Sequence, residues 1–313
     1  MSKLISIIVP IYNKEKYIRE MLDSLRDQEN TNFEVIFIND GSTDNSEEVL
    51  KKNEIEYNFK YRIISKKNEG VSITRNLGLK EAEGEYIYFL DADDSIESTF
   101  VSELQKILKN RNDNIIWFGY DRYIRKKDEI CLLKKYEEKY KYCSEFEKEK
   151  TLKKFLKKEI HIHICSILFN KKFLDEKQIK FIEGKSYAED QAFVIEALSK
   201  TEKIFCLDKS LFKYIETPNS AINTMSIKKL ETLDVFFIIL ISDWMKEQKI
   251  MKQKITIDAT RMLISYYFKY KGPKIDNYLL NFKDKIIKNK MKFSKKQYIL
   301  LIILLKIGEL LKK

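Results

Sequence analysis

The sequence predicts an α/β fold with a mostly parallel central sheet flanked by helices and followed by a helical C-terminal region. In the first 95 residues, short apolar runs rich in β-branched and aromatic residues alternate with amphipathic segments. This alternation is typical of right-handed βαβ units, whose consecutive strands run parallel. Polar or special residues follow three of the runs, at the sheet edge where open α/β folds bind ligands.

The elements follow one another with short connections. The predicted strands are residues 4–9, 33–38, 61–65 and 86–90, and the predicted helices are residues 14–27, 42–52 and 70–82. Ser42 or Thr43 is the expected N-cap of the second helix. A helix over 100–108 and a buried strand over 115–120 come next, and the charged, tyrosine-rich stretch 121–150 is interpreted as a solvated hairpin or loop.

Three carboxylates arrive within four positions directly after the buried run 86–90. Asp91, Asp93 and Asp94 would repel one another in a core, and each would be costly to desolvate without a cation. Asp91 and Asp93 lie two apart on an extended backbone, which suits a hard divalent ion that also binds phosphate oxygens. The alternative is a polar turn with Asp94 or Ser95 as the N-cap of the next helix, but a cap accounts for only one of the acids.

Composition indicates a folded chain from a reducing compartment. The 313 residues are 44% apolar and 12% aromatic, which favours a substantial core. The four cysteines have no C-x-x-C spacing, so neither a zinc site nor a disulfide framework is indicated. The N-terminal apolar run stops at Pro10, too short for a secretory segment, and the expected location is therefore cytoplasmic.

The positive charge is concentrated in the last third of the chain. Residues 221–313 contain 20 lysines and arginines against 8 acids, while the formal net charge of the whole chain is +11. Seven lysines in 283–296 precede the apolar run 298–305, which is far shorter than the roughly 20 residues that span a bilayer. Residues 283–313 therefore suit an interfacial helix on an anionic cytoplasmic membrane surface or a buried helix with a solvated lysine face, and both remain open.

Four sequence blocks together resemble the family 2 glycosyltransferases. Residues 9–13, 39–44, 70–78 and 89–94 occur in that family's order and at its spacing across roughly the first 100 residues. The resemblance implies a GT-A fold, which is Rossmann-like, over residues 1–220. Residues 1–100 would form the nucleotide-sugar half, residues 101–220 the acceptor half, and residues 221–313 a basic helical region.

The implied activity is inverting, metal-dependent transfer of a hexose or N-acetylhexosamine. The donor would be a UDP-sugar and the acceptor a hydroxyl of a glycan or lipid-linked glycan. Such enzymes contribute to cell-surface polysaccharide, lipooligosaccharide or capsule synthesis. By the resemblance, the loop from Pro10 to Tyr12 and Asp40 would cradle the base, with Asp40 accepting from a uracil N–H. The family's second block commonly has two aspartates, whereas this chain has Asn39 before Asp40.

Other matching positions imply contacts with the rest of the donor. Arg75 would lie near the nucleotide, on its phosphates or base. Asp91 would reach the ribose or sugar, and Asp93 would hold Mg²⁺ or Mn²⁺ on the diphosphate. Taken alone, Arg75 would be interpreted as a surface residue, and only the shared order of the blocks favours a functional role.

A second acidic pair, Glu189 and Asp190, opens a predicted helix. Acids in the first helical turn are favoured by the macrodipole, which is the purely structural explanation. The family has a Glu-Asp pair here, so Asp190 is identified by resemblance as the general base and Glu189 as a supporting or acceptor-binding acid. An aspartate in a partly dry cleft suits that task, because desolvation raises its pKa.

Three alternatives are weighed against sugar transfer. His161 and His163 could form a metal pair on one strand face over 160–164, although packing or acceptor contacts are favoured. A nucleotidyltransferase would need a Gly/Arg-rich phosphate loop near the first strand, which residues 10–14 lack. A non-catalytic basic protein binding membrane or nucleic acid would explain the charge, but no nucleic-acid motif is present and aliphatic side chains separate the lysines.

Overall fold

The structure, a computed structural model, describes residues 4–52, 57–127, 129–137, 143–157, 159–185 and 187–217. In the first half of the chain, strands alternate with helices as predicted. The strands are β1 (Ile5–Ile11), β2 (Phe33–Asp40), β3 (Lys60–Lys66) and β4 (Tyr86–Phe89), and the helices are α1 (Ile18–Arg26), α2 (Ser46–Lys52) and α3 (Val71–Glu81).

The second half adds shorter strands and further helices to the same sheet. They are β5 (Ser95–Ile96), α4 (Phe100–Leu108), β6 (Ile115–Lys126), β7 (Glu129–Lys134), β8 (Cys143–Glu147), α5 (Lys148–Leu156), a 3₁₀ turn (Ile164–Ser166), β9 (Ile167–Asn170), α6 (Lys171–Glu176), α7 (Glu189–Lys200) and β10 (Lys203–Glu216). The strand order is β3-β2-β1-β4-β9-β6-β10-β5, with β7 beside β6 and β8 beside β10.

The mostly parallel sheet is confirmed. Strands β3, β2, β1 and β4 are mutually parallel, as are β6 and β10, while β9 runs antiparallel between β4 and β6. Strands β1, β2 and β4 are almost wholly buried, as expected when helices cover both faces of a parallel sheet. The carboxyl ends of β1 to β4 therefore meet at one edge.

Strand β1 continues through Pro10, beyond the predicted end at Val9. Pro10 pairs with Ile38 of β2, but the register between β1 and β4 ends at Ile8. Proline lacks the N–H that a second neighbour would need, so it is tolerated where the strand has a partner on one side.

Helices α1 and α2 begin later than predicted, at Ile18 and Ser46 rather than at 14 and 42. The residues before α1 and those before α2 form hydrogen bonds that join these two loops. The backbone N–H of Lys14 donates to Ser46 Oγ at 2.8 Å. Asp44, rather than Ser42 or Thr43, accepts from the Ser46 N–H at 3.0 Å. The side chains of Ser46 and Asp44 thus accept from backbone N–H groups of the loops. In a longer helix, these N–H groups would have lain in its first turns.

Helix α3 packs very closely on the sheet through Gly78. A Cβ at this position would lie 2.3 Å from Ile8 Cγ2 and 3.2 Å from Ile38 Cδ1. Because Gly78 has no side chain, the helix backbone approaches β1 and β2 directly. This approach fixes where Arg75, one turn earlier on α3, meets the edge of the sheet.

Two expectations for the middle of the chain are revised. Residues 121–150 do contain an exposed hairpin, formed by β6 and β7, although β6 runs on as one strand to Lys126. The suggestion of a strand over 160–164 is wrong. His163 instead caps the 3₁₀ turn that begins at Ile164. Its Nδ1 accepts from the Cys165 N–H at 3.2 Å and its ring stacks on Phe212, which confirms the packing interpretation for His163.

The chain divides into two compact units. One comprises Met1–Gly184 and Phe193–Thr224, and the other comprises Lys185–Ala192 and Met225–Lys313. The predicted helical region 221–313, with its basic segment 283–313, lies outside the described residues. Among the helices in the described ranges, none is long and apolar enough to cross a membrane.

Candidate active site

The candidate site is built on the loops that leave the carboxyl ends of β1, β2, β3 and β4. Side chains join the loop after β1 to the loop after β2, the end of β2 to the loop after β3, and the loop after β1 to the loop after β4. The loop after β1 is tied to the loop after β2, since the Asn13 N–H donates to Ser42 Oγ at 3.1 Å and Asn13 Oδ1 accepts from the Thr43 N–H at 2.8 Å. Asn13 has a positive φ of 52°, a conformation that asparagine tolerates well. Tyr12, beside it, is 47% exposed.

Asp40 ends β2 and organises the loop between β3 and α3. Its Oδ1 accepts from the Glu69 N–H and its Oδ2 from the Gly70 N–H, both at 2.9 Å, and the Lys66 ammonium also donates to it. The carboxylate is 3% exposed. Gly41 follows with φ +69°, and a Cβ there would lie 2.7 Å from the Asn68 N. A carboxylate can accept about four hydrogen bonds, so Asp40 retains acceptor capacity beyond these three.

Asn39 makes one contact that an aspartate could not make, because that contact needs a side-chain donor. Its Nδ2 donates to Glu47 Oε2 at 2.7 Å, and its Oδ1 accepts from the Ser42 N–H at 3.0 Å. An aspartate at this position would place a second carboxylate against Glu47 and would have no donor. Asn39, which replaces the first aspartate of the common two-aspartate form, is therefore suited to its neighbour Glu47. Asp40 keeps its position at the end of β2.

Arg75 is buried and bound to Asp91, so the interpretation as a surface residue is wrong. It is 4% exposed, and its Nη2 donates to Asp91 Oδ1 at 2.8 Å. The guanidinium also lies over the ring of Phe181, 5.2 Å from its centroid. Burial alone would raise the pKa of the Asp91 carboxyl. The charge of Arg75, together with its hydrogen bond and the smaller effects of His163 and Lys14, outweighs burial and holds that pKa below its ordinary value.

Asn76 fixes the position of Phe181 from the same helix. Its Nδ2 donates to the Phe181 carbonyl and its Oδ1 accepts from the Phe181 N–H, both at 2.9 Å. This two-way contact holds the aromatic ring beside Arg75. The adjacent residues Arg75 and Asn76 thus fix a carboxylate and an aromatic side chain together.

Asp93 is paired with Lys14, a residue that the sequence did not single out. The Lys14 Nζ lies 2.5 Å from Asp93 Oδ2. Burial would lower the pKa of the Lys14 ammonium, but Asp93, with smaller effects from Asp91 and Asp94, raises it above its ordinary value. Lys14 follows directly after the block 9–13, and its position one residue beyond that block is the only sequence signal that could have identified it.

Asp94 does not cap the next helix, so the cap-only interpretation is wrong. It is 2% exposed and its Oδ1 accepts from the Ile215 N–H of β10 at 2.7 Å. Ser95 lies in β5, and Thr99 precedes α4. Burial, followed by the charges of Asp93 and Asp91, raises the pKa of the Asp94 carboxyl well above its ordinary value.

The donor atoms present suit a hard divalent ion through their carboxylates. Ligand atoms of Asp91, Asp94 and Cys165 lie within 4.8 Å of one another. Cys165 is buried, and burial raises the pKa of its thiol well above the ordinary value, so a thiolate ligand is disfavoured. Carboxylate oxygens such as those of Asp91 and Asp93 are the ligands that Mg²⁺ and Mn²⁺ prefer. Asp93 does not belong to the group formed by Asp91, Asp94 and Cys165, but its carboxylate is of the type that such an ion binds and is more accessible than that of Asp94.

Glu189 and Asp190 belong to the unit that contains Lys185–Ala192 and are described by themselves. They are the first two residues of α7, preceded by Ala188 at a positive φ of 59°. Asp190 Oδ1 accepts from the Gln191 N–H at 2.7 Å. Glu189 is 9% exposed, and Asp190 is more accessible. Both acids occupy the helical first turn, as predicted.

The chain matches a known family of transferases over more than half of its length. The family model described as Glycosyl transferase family 2 matches residues 6–178. The chain belongs to this family. That assignment favours sugar transfer over the nucleotidyltransferase alternative.

Two relatives are similar to this chain over about two thirds of its length. It is 31% identical over 220 residues to the uncharacterized glycosyltransferase EpsJ of Bacillus subtilis, covering 70% of this chain and 63% of EpsJ. It is 33% identical over 215 residues to the glycosyltransferase GlyA of Streptococcus pneumoniae, covering 67% of this chain and 30% of GlyA. The chain thus spans less than two thirds of either relative.

Among solved structures, the fold resembles S. aureus TarS. The crystal structure of TarS 1–349 in complex with UDP-GlcNAc aligns with a TM-score of 0.68 and 22% identity. The alignment covers 90% of this chain and 81% of that one. The GT-A fold expected from the sequence is confirmed.

Proposed function

We propose that the protein is an inverting glycosyltransferase. It transfers a hexose or N-acetylhexosamine from a UDP-sugar to a hydroxyl of a glycan or lipid-linked glycan acceptor, in cell-surface polysaccharide, lipooligosaccharide or capsule synthesis. The observation that carries the proposal is the pair of ion contacts at the end of β4, Arg75 with Asp91 and Lys14 with Asp93. Family membership and the fold of UDP-GlcNAc-bound TarS support the same donor class.

The base of the donor is assigned to the ends of β1 and β2. Pro10 and Tyr12 provide an apolar and aromatic surface there, and the exposed Tyr12 ring is accessible for stacking. Asp40 is fixed by its loop contacts and accepts from the N–H of the base. Because its carboxylate is already oriented, little ordering is needed when the nucleotide binds.

The sugar and diphosphate are assigned to the end of β4. Arg75 holds the Asp91 carboxylate ionised and oriented toward ribose or sugar hydroxyls, and Asp93 would hold Mg²⁺ or Mn²⁺. When bound, the ion neutralises negative charge on the departing diphosphate. Before the ion binds, the Lys14 ammonium is the cation in contact with the Asp93 carboxylate.

Asp190 is assigned as the general base. Its carboxylate takes the proton of the acceptor hydroxyl as that oxygen forms a bond to the anomeric carbon from the face opposite the leaving group. The bond from the anomeric carbon to the phosphate oxygen breaks, and its electron pair leaves with UDP. Glu189 supports the base or binds the acceptor. Because attack and departure take place on opposite faces, the configuration is inverted.

The basic segment 283–313 is proposed to bring the enzyme to an anionic membrane surface on the cytoplasmic side, where a lipid-linked acceptor would be found. Its lysines each contribute about 1 kcal/mol near such a surface. The apolar residues 298–305 would lie in the interface rather than span it.

The test is release of UDP from a panel of UDP-hexoses and UDP-N-acetylhexosamines with Mg²⁺ or Mn²⁺, with and without glycan acceptors. One or more donors should turn over. Asp190→Asn should bind UDP as the unaltered protein does and lose turnover by at least about a hundredfold, because general-base catalysis contributes about that much. The matched control is Asp175→Asn, an exposed aspartate of α6, which should retain turnover. Unchanged turnover in Asp190→Asn would refute the base assignment, and no turnover of any donor would refute the proposed activity.

A further inference from the structure

We propose that Lys14 is an internal counter-ion of the acidic cluster, defined as Asp91, Asp93 and Asp94, and that its ammonium competes with the divalent cation for Asp93. Lys14 thereby sets the metal affinity of the free enzyme. The inference rests on the proposed function only in taking Asp93 as the metal ligand. It concerns the state before any sugar donor binds.

The contact between the two side chains is short and partly shielded from water. The Lys14 Nζ lies 2.5 Å from Asp93 Oδ2, and the two side chains are 30% and 21% exposed. An ion pair at this depth is screened less than a pair on the open surface. The other two acids of the cluster also act on the Lys14 ammonium. The Lys14 ammonium therefore lies in a position where the carboxylates of the acidic cluster favour a positive charge.

The backbone of Lys14 is anchored independently of its side chain. Its N–H donates to Ser46 Oγ at 2.8 Å, and the preceding Asn13 is tied to Ser42. The ammonium is carried on a flexible four-carbon stem, so it can leave Asp93 while the loop stays in place. The ring of Tyr17 lies within reach as an alternative contact, with its centroid 5.7 Å from Nζ.

A divalent cation and the ammonium cannot share the Asp93 carboxylate without strong repulsion. A bound Mg²⁺ would lie about 2.1 Å from a carboxylate oxygen. With the ammonium still on the same carboxylate, two positive charges would stand a few ångströms apart in a partly dry site. The ammonium must therefore leave Asp93 as the cation enters. The free energy needed to separate Lys14 from Asp93 makes the binding free energy of the cation less favourable.

The test is a titration of the full chain with Mn²⁺ alone, in the absence of nucleotide, with free Mn²⁺ measured by electron paramagnetic resonance. Lys14→Met, which keeps a similar apolar stem and removes the charge, should bind Mn²⁺ about tenfold more tightly. Lys14→Arg keeps a cation beside Asp93 and should stay within about threefold of the unaltered protein. Adding Asp93→Asn to Lys14→Met should abolish the gain, because the contested ligand is then gone.

Lys16→Met provides the matched control for loss of one positive charge. Lys16 is exposed and lies two residues along the same loop, so its removal changes the net charge equally. Its Mn²⁺ affinity should equal that of the unaltered protein. The proposal is overturned if Lys14→Met binds Mn²⁺ no more tightly, if Lys16→Met shows the same gain, or if none of the proteins binds Mn²⁺. None of these outcomes depends on sugar turnover, so failure here is distinguishable from failure of the proposed activity.

Discussion

At the scale of single residues, the site depends on charged groups that are bound in pairs. Asp91 and Asp93 are not left to repel each other, since Arg75 neutralises the first and Lys14 the second. Removing one partner of a buried pair leaves an uncompensated charge, which destabilises a protein more than loss of an exposed pair. Arg75, at 4% exposed, is the partner most affected.

Asp91→Asn should lower the free energy of unfolding by about 2 kcal/mol at neutral pH, because it leaves the Arg75 charge buried without its carboxylate. The pKa of Asp91 is lowered from an ordinary value of 3.8. The pair therefore contributes fully above that value, and its contribution is lost as the pH falls through the lower pKa of the folded protein. Urea unfolding across a pH series should show the difference between the two proteins shrinking at the acid end.

The matched control is again Asp175→Asn, which removes an exposed carboxylate and should change the free energy of unfolding by less than about 0.5 kcal/mol. A destabilisation by Asp91→Asn that stays constant across the whole pH series would show that the ion pair is not its cause.

Some site residues could be read from the sequence and others could not. Asp40, Arg75, Asp91 and Asp93 stand in blocks whose order carries information. The structure places Asp40 at the end of β2 and Asp91 and Asp93 just after β4, and Arg75 contacts Asp91 from α3. Lys14 was missed because a lysine in a lysine-rich chain gives no signal on its own. Its partner lies 79 residues away along the chain, and that contact is defined only when β1 and β4 pair.

At the scale of elements, α3 carries much of the site geometry. Its close packing at Gly78 sets the depth of the helix on β1 and β2, and Arg75 and Asn76 then contact Asp91 and Phe181. A small change in helix position would move both contacts together. The helix is thus a positioning element as well as part of the core.

Gly78→Ala should lower the free energy of unfolding by about 2 kcal/mol, because the added methyl would lie 2.3 Å from Ile8 Cγ2 and the helix must shift outward. The same shift should weaken UDP binding through Arg75. Thermal unfolding and UDP calorimetry measure the two effects. Lys80→Ala, on the exposed face of the same helix, is the control and should leave both unchanged. A fully stable Gly78→Ala would contradict the close packing.

Strand and helix types were predictable here because the periodicity of the first half is strong, and α4 was predicted with its observed bounds. The first residues of α1 and α2 were not predictable in this way. The apolar periodicity cannot show that Ser42, Asp44 and Ser46 bind the amides of the neighbouring loop. Strand β5, only Ser95–Ile96, was also missed, because its antiparallel pairing with β10 joins segments far apart in the sequence.

At the scale of the whole molecule, charge is distributed unevenly. Residues 1–220 are close to neutral in net charge, while residues 221–313 hold the basic excess. A near-neutral net charge gives no general attraction to anionic polymers, and a basic segment can be attracted to an anionic membrane surface.

Deleting residues 297–313 should release the protein from vesicles that contain anionic phospholipids and leave transfer to a soluble acceptor unchanged. The physical reason is loss of the apolar run and the terminal lysines together. Co-sedimentation with anionic and with neutral vesicles measures the effect, and the neutral vesicles serve as the control. Equal binding of the deleted and full chains to anionic vesicles would contradict the membrane proposal.

The central claim is that the end of β4 binds a nucleotide diphosphate together with a divalent cation. The most direct measurement is calorimetric titration of UDP with and without Mn²⁺, for the unaltered protein, Asp93→Asn and the control Asp175→Asn. Mn²⁺ should tighten UDP binding at least about tenfold in the unaltered protein and the control and have no effect in Asp93→Asn. Equal tightening by Mn²⁺ in Asp93→Asn would contradict the account.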